Sequence, residues 1–433
     1  MTAEPRAVGE MTPRAPDPIP EVRNFRLLWG GQAISLLGNE LTKLAIPLLA
    51  LGQLHASSAQ VGLLRASGTA PTLVIMLFVG VWVDRLRRRP LLIASNLFQA
   101  AVLMLLTALA LSGSLSFVML ATAALALGAA GVVFEVAYPS FIPTVVPTER
   151  LPSANGRLFG AQSVAEAAGP GLAGVLVAWF GAGWVLLVDA VSFVVSAVTV
   201  LAIRVRESVP APSEGRRVLG EIKTGMRALL GHSLLRATVL AAGLYNFWES
   251  SLATVFLVHA VRGLGISEAT LGLILGGGSV GAIVGTAVSA FVVRRYGLGP
   301  TLAVNFTAGC LLPLLLLLPN GNGLGTVVAF TVIFFSTTFC IALYSVQALT
   351  VRQAATPDHM RGRVLASGWL FILGSIPLGA LLGGFLGGLL TPWTALAVSA
   401  LGLPMAMLFL LPSPVPRLTG LPAVEHQYWE RFE

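Results

Sequence analysis

Three carboxylates stand inside long apolar stretches of this chain: Glu40, Glu166 and Glu249. A carboxylate held away from water favours its neutral form and can take up a proton near neutral pH. Exchange of that proton for another solute is the chemistry these residues suggest, with Glu249, Glu40 and Glu166 as candidate carriers in that order. Each has polar neighbours at helical spacing. Asn39 and Lys43 flank Glu40, Gln162 lies four residues before Glu166, and Tyr245, Asn246 and Trp248 precede Glu249. Glu40 and Lys43, one turn apart on one face, read equally well as part of a solute cavity or as a pair that neutralises itself. Tyr245, Phe247 and Trp248 could wall such a cavity or form an aromatic stripe against lipid. Asp189 and Glu135, nearer the ends of their stretches, read as structural.

Other chemistries find little support. Only Cys310 and Cys340 are present, without metal or redox spacing. The two lysines, Lys43 and Lys223, follow Thr42 and Ile222, so no G-K-[ST] phosphate loop exists. The five histidines are scattered, no H-E-x-x-H occurs, and no Ser sits in a G-x-S-x-G turn within an apolar stretch. Neither an enzyme nor a resident cofactor or metal is expected.

The elements that must position the carboxylates are membrane helices. The chain is 55% hydrophobic and 11% charged, against about 25% charged in soluble domains. A window of about 20 apolar residues finds spans near 27–51, 61–83, 90–111, 115–138, 156–180 and 183–203. It finds six more near 237–260, 268–293, 300–318, 324–349, 363–390 and 392–411. Unbroken apolar runs favour helices over a barrel of alternating strands. Of the 27 basic residues, 24 fall in segments on one side of this threading; Arg262 lies opposite, while Lys43 and Arg65 sit within spans. Basic residues are retained in the cytoplasm, which puts both ends inside the cell membrane. The net charge of +8 is spread over seven segments, so lipid phosphate rather than nucleic acid is its expected partner.

The longest internal connection, 204–236, splits the chain into a six-span half at 27–203 and another at 237–412, with tails at 1–26 and 413–433. The first 26 residues lack the order of a cleaved signal, so the first span is expected to direct insertion. Both tails are expected to lack structure. Within the linker, Val218, Ile222, Met226 and Leu229 share one helical face, which predicts a helix along the inner membrane surface; a docking site for a soluble partner is the other reading. Two equal halves suggest duplication and rocking about a central site. Gly277, Gly281 and Gly285, and likewise Gly379, Gly383 and Gly387, form strips for close helix contact, either static or sliding.

After the second span comes Gly80-Val-Trp-Val-Asp84-Arg85-Leu-Arg87-Arg88-Arg89. This resembles the G-x-x-x-D-R-x-x-R-R signature of the major facilitator superfamily, found between the second and third of twelve spans. The resemblance implies that Gly80, Asp84, Arg85, Arg88 and Arg89 latch the two halves in the outward-open state. The second half keeps Arg294-Arg295 at the matching point without the acid. In the fifth span, Gly169-Pro170-Gly171 with Gly174 is similar to the antiporter motif of the superfamily, in which the proline kinks the helix and the glycines seat it against the other half. Phe134-Glu135 through Pro143, Leu151 through Gly156, Asp189 through Phe193, and Thr356-Pro-Asp358 through Arg363 resemble the subgroup of the enterobactin exporter and macrolide-efflux proteins. The fourth span lacks the Arg that many drug/proton antiporters of the superfamily carry.

The expected fold is therefore all-α: twelve transmembrane helices in two six-helix bundles. The resemblance implies a monomeric exporter of a bulky, partly apolar small molecule such as a drug, macrolide or siderophore, exchanged for protons by alternating access. An importer or a lipid flippase of the same fold is the alternative.

Overall fold

The computed structural model describes residues 18–83, 86–147, 150–205, 207 and 218–432. Among these, ten helices are long and apolar enough to cross a bilayer by themselves. The first half consists of α1 (Pro18–Gly52), α2 (Ser58–Val83), α3 (Arg88–Leu111), α4 (Phe117–Val145), α5 (Leu151–Phe180) and α6 (Ala182–Ala202). A short helix, α7 (Val218–Gly231), leads into the second half. There follow α8 (Ser233–Val258), α9 (Glu268–Tyr296), α10 (Leu298–Leu311), α11 (Leu324–Ala354), α12 (Asp358–Leu389) and α13 (Pro392–Gly402). Tight 3-10 turns extend α10 to Leu317, and a further turn joins α13 to α14 (Met407–Leu410). With α2 and α8 counted, the spans number twelve.

Local chemistry sets the ends. On the face away from the basic loops, Ser116, Ser267 and Thr391 each accept a hydrogen bond from the backbone N–H three residues on, satisfying donors a helix start leaves open. Gly181 closes α5 with a φ of 82°, a left-handed turn that residues with a Cβ rarely adopt.

Within each half, polar side chains tie helices where lipid offers no hydrophobic drive for association. The Asn96 amide donates to Ser196 Oγ at 2.9 Å, linking α3 to α6, and Ser95 Oγ donates to the Ala130 carbonyl of α4 at 2.6 Å. In the second half Ser251 and Ser399 share a hydrogen bond of 2.8 Å between α8 and α13.

The halves meet along two seams, α5 with α9 and α2 with α12. Both are backbone contacts. A Cβ on Gly174 would lie 2.6 Å from the Gly272 Cα, and one on Gly62 2.6 Å from the Gly384 Cα. These seams do not use the glycine strips expected from sequence. Gly281 and Gly285 instead pack on the Phe335 and Phe339 backbone of α11, and Gly379 and Gly383 on Phe247 and Ser251 of α8. Only Gly387, against Ser58, reaches across. Glycines at four-residue spacing occur on two faces of α9 and α12, and spacing alone does not say which face meets the other half.

Both seams lie toward the face opposite the basic loops. There, every residue from Leu44 to Leu51 of α1 and from Thr254 to Ala260 at the end of α8 is buried. The Arg262 guanidinium donates to the Leu51 carbonyl at 3.2 Å, bridging the two halves. At the basic end the halves part: Asn155, Phe159 and Gln162 of α5 are exposed. The molecule is closed on one face and open on the other.

Both tail expectations need correction where the residues are described; 1–17 lie outside them. Helix α1 begins at Pro18, nine residues before the predicted span, and the Asn24 amide there donates to the Arg204 carbonyl at 3.4 Å. The C-terminal segment is also folded. It carries α15 (His426–Trp429), whose Trp429 is buried and donates from its indole to the Ala355 carbonyl at 3.2 Å. Tyr428 Oη donates to the Ala228 carbonyl of α7 at 2.6 Å. Helix α7 forms as expected, at 105° to α8. Its buried Ala228 and Leu229 rest on Met360, Val364 and Trp429 rather than on lipid.

Candidate functional site

Helix α1 reaches α6 through Gly38, where only hydrogen fits against Asp189 and Ser192. Thr42 Oγ1 and Ser192 Oγ, the latter at 2.8 Å, both donate to the Asp189 carboxylate, which is fully buried. With that face fixed, Glu40 points toward α5, where Gly169 leaves room for it. Gly169 thus serves contact within its own half, whereas Gly174 makes the contact with the other. Lys43 Nζ donates to Glu40 Oε1, as one of the two sequence readings has it. The lysine side chain is 68% exposed and Glu40 14%, so the pair faces open space. Glu135 of α4 lies within electrostatic reach of Lys43, so three charges gather on this side. Asn39 beside them is half-buried.

On α5 the Gln162 amide donates to Glu166 Oε1 at 2.8 Å, and both are exposed. Helical spacing puts them on the face of Ala173 and Val177, which are buried nearer the closed end. The exposed Val164, Leu172 and Trp179 occupy the other side of the helix. Glu166 therefore looks into the space between the halves. Helix α5 continues unbroken through Pro170.

Around Glu249 the outcome is mixed. Trp248 packs against Gly402, Tyr245 is buried 6.1 Å from the Phe306 ring, and the Asn246 amide donates to the Ile372 carbonyl of α12 at 3.2 Å. These three hold α8 to its own half. Glu249 itself is half-buried, and its charged neighbour is one that sequence proximity does not reveal. Gly379 and Gly383 of α12 set the level of Phe247 and Ser251 on α8. Ala380 and Gly384 on the same helix set the level of Gly62 on α2. One turn on from Gly62 comes Arg65, level with Glu249 across the seam. Helices α2 and α8 touch, and the two charges act on each other. No ion pair within 4 Å joins them among the described residues.

Of the latch signature, Asp84 and Arg85 lie outside the described residues, and Gly80 falls in the last turn of α2. The Arg88 and Arg89 backbone N–H groups donate to the Glu207 carboxylate, which caps α3. The Arg89 guanidinium donates to the Val200 and Leu201 carbonyls at the end of α6. In this closed-opposite, open-basic arrangement those arginines bind their own half.

The chain is 29% identical to the multidrug efflux pump Tap of Mycolicibacterium fortuitum, over 89% of this chain and 93% of that protein. It is 27% identical to macrolide efflux protein A of Streptococcus pyogenes, over 54% of this chain and 57% of that one. In structure it is similar to a bacterial homologue of the iron transporter ferroportin in its inward-facing state, with a TM-score of 0.72, 17% identity, and coverage of 90% of this chain and 98% of that chain. A family model described as transmembrane secretion effector matches residues 17–431. The chain belongs to that family, a branch of the major facilitator superfamily of membrane transporters.

Proposed function

We propose that this protein exports a bulky, partly apolar small molecule from the cell in exchange for protons, alternating between a state open to the inside and one open to the outside. The observation that supports this reading is a space sealed at one face and open at the basic face, with the Glu40–Lys43 pair and the exposed Glu166 toward it and Glu249 beside Arg65 where α2 meets α8. The retention of basic loops in the cytoplasm supports a cytoplasmic open face, and cytoplasmic termini, in a multi-pass plasma-membrane protein. The efflux pumps among its relatives support export of a drug-like or macrolide-like solute.

Glu249 is the leading proton carrier, followed by Glu40 and Glu166, and Arg65 acts on Glu249. A fixed cation brought beside a carboxylate favours its ionised form. When the halves close on the outside, Arg65 on α2 stands level with Glu249 on α8, and the carboxyl gives its proton to water in the cytoplasmic opening. When they part on the outside, α2 leaves α8, and Glu249 regains a proton from the exterior. Arg65 supplies the cation that the fourth span lacks. Among the helices packed on α8, α12 and α13 bring no charged side chain to this level, and the remaining ionisable groups nearby are Tyr245, Cys310 and Cys340. Gly80, Asp84, Arg85, Arg88 and Arg89 form the cytoplasmic latch of the opposite state.

Transport into inside-out vesicles tests this reading. With a macrolide and a cationic dye as probes, an imposed pH gradient drives uptake by the native protein. Glu249→Gln and Glu40→Gln reduce gradient-driven uptake to that of empty vesicles while exchange without a gradient persists. Gradient-driven uptake that survives in both variants rejects these carriers.

A further inference from the structure

At the basic end of the first half, α1, α5 and the end of α4 line a half-open cavity of about 250 Å³. Three arginines line it: Arg26 of α1, Arg150 at the start of α5, and Arg157 two turns later. Among the described residues no carboxylate pairs with any of them. Like charges gathered at one cavity repel. Arg150 caps the start of α5 without a side-chain hydrogen bond, and the open N–H groups of that first turn add partial positive charge.

The cavity is nevertheless built rather than splayed. Arg157 lies over the Phe25 ring at 5.9 Å from its centroid, and the Trp29 indole donates to the Arg157 carbonyl at 3.1 Å. Val145 and Val146, both buried, form an apolar floor. A ligand suited to this place carries concentrated negative charge that can accept several guanidinium hydrogen bonds, beside a portion that tolerates an apolar surface. Phosphate oxygens meet the first requirement, since arginine forks match their geometry. We propose that this cavity is a binding site for a phosphate-bearing anion, held by Arg26, Arg150 and Arg157 where α1, α4 and α5 converge. A phospholipid headgroup and free phosphate share this chemistry.

The full-length protein in detergent and in nanodiscs tests the proposal, with phosphatidylglycerol, phosphatidylcholine and inorganic phosphate as probes. Native mass spectrometry reads retained lipid, and tryptophan fluorescence reads the thermal transition. The native protein retains phosphatidylglycerol in preference to phosphatidylcholine and unfolds later with it. The R26Q/R150Q/R157Q variant loses that preference, with affinity falling about fivefold for each arginine removed. An R294Q/R295Q variant, which removes two charges from the same face away from the cavity, behaves as the native protein. Stabilisation by inorganic phosphate that the triple variant lacks assigns the site to a free anion; a response to phosphatidylglycerol alone assigns it to a headgroup. The single variants Arg26→Gln and Arg157→Gln give the same reading should the triple variant fold poorly. Equal lipid retention by the native, triple and control proteins overturns the proposal, as does an equal loss in the triple and control variants.

Discussion

Arg65 and Glu249 show how a residue's role depends on which neighbours the fold supplies. Apart in sequence and on different halves, they meet only because α12 sets both at one level. If they form a functional couple, Arg65→Gln strands a carboxylate and Glu249→Gln strands a cation, whereas the double variant strands neither. The expected outcome is lower thermal stability for each single variant and recovery in the double one, with gradient-driven transport absent in all three. Additive losses of stability would separate the two residues. His232, outside the membrane, offers a second test. Its ring stacks 5.9 Å from that of Trp429, and burial holds it below the usual histidine range, opposed in part by Glu425. A histidine buried as the neutral form contributes its stability above about pH 6.5, its unfolded value, and loses it as pH falls toward the folded value. Release of the C-terminal segment to limited proteolysis is therefore expected to rise as pH falls below about 6.5, and a His232→Gln variant should flatten that dependence.

Single helices meet the other half through backbone at a few points, and those points are where substitution tells most. A leucine at Gly174 or Gly62 has no room against Gly272 or Gly384, so Gly174→Leu and Gly62→Leu should hold the external face open. Gly156 and Gly160 on the same α5 have nothing within 4 Å of an added Cβ, and leucine there should be tolerated. Alkylation of a cysteine placed at Thr254, now buried at the closed end, reads the difference from outside the cell. The C-terminal segment is testable at the same scale. Trp429→Ala removes a buried indole and its hydrogen bond, which is expected to cost about 3 kcal/mol or more, visible as an earlier thermal transition and freer proteolysis. Span positions were legible in sequence because hydropathy dictates them: predicted 183–203 is α6 at Ala182–Ala202. The folded ends were not, since residues 18–26 and 413–432 are polar and proline-bearing, and their order comes from contacts such as Asn24 with Arg204 that no local pattern announces. The carboxylates were equally legible, as isolated charges in apolar text. Their surroundings were not: the contacts of Tyr245 with Phe306 and of Trp248 with Gly402 come from helices distant in sequence.

For the whole molecule, closure at one face and opening at the other make a directional statement. A cysteine at Gln162, exposed in the opening, should react with a membrane-impermeant maleimide in inside-out vesicles and stay protected in intact cells. One at Asn320, in the turn between α10 and α11, should show the reverse. Reaction of both from the same side would contradict the proposed orientation. In the proposed cycle the halves turn about seams made largely of glycine and alanine backbone, and the solute meets side chains on surfaces of α1, α5 and α8 that those seams leave free. Bearing and cargo hold are thus written in different residues. Selection can reshape what the hold accepts, one side chain at a time, while the pivot beneath it stays untouched, which is a physical route to the varied cargoes of proteins that share this frame.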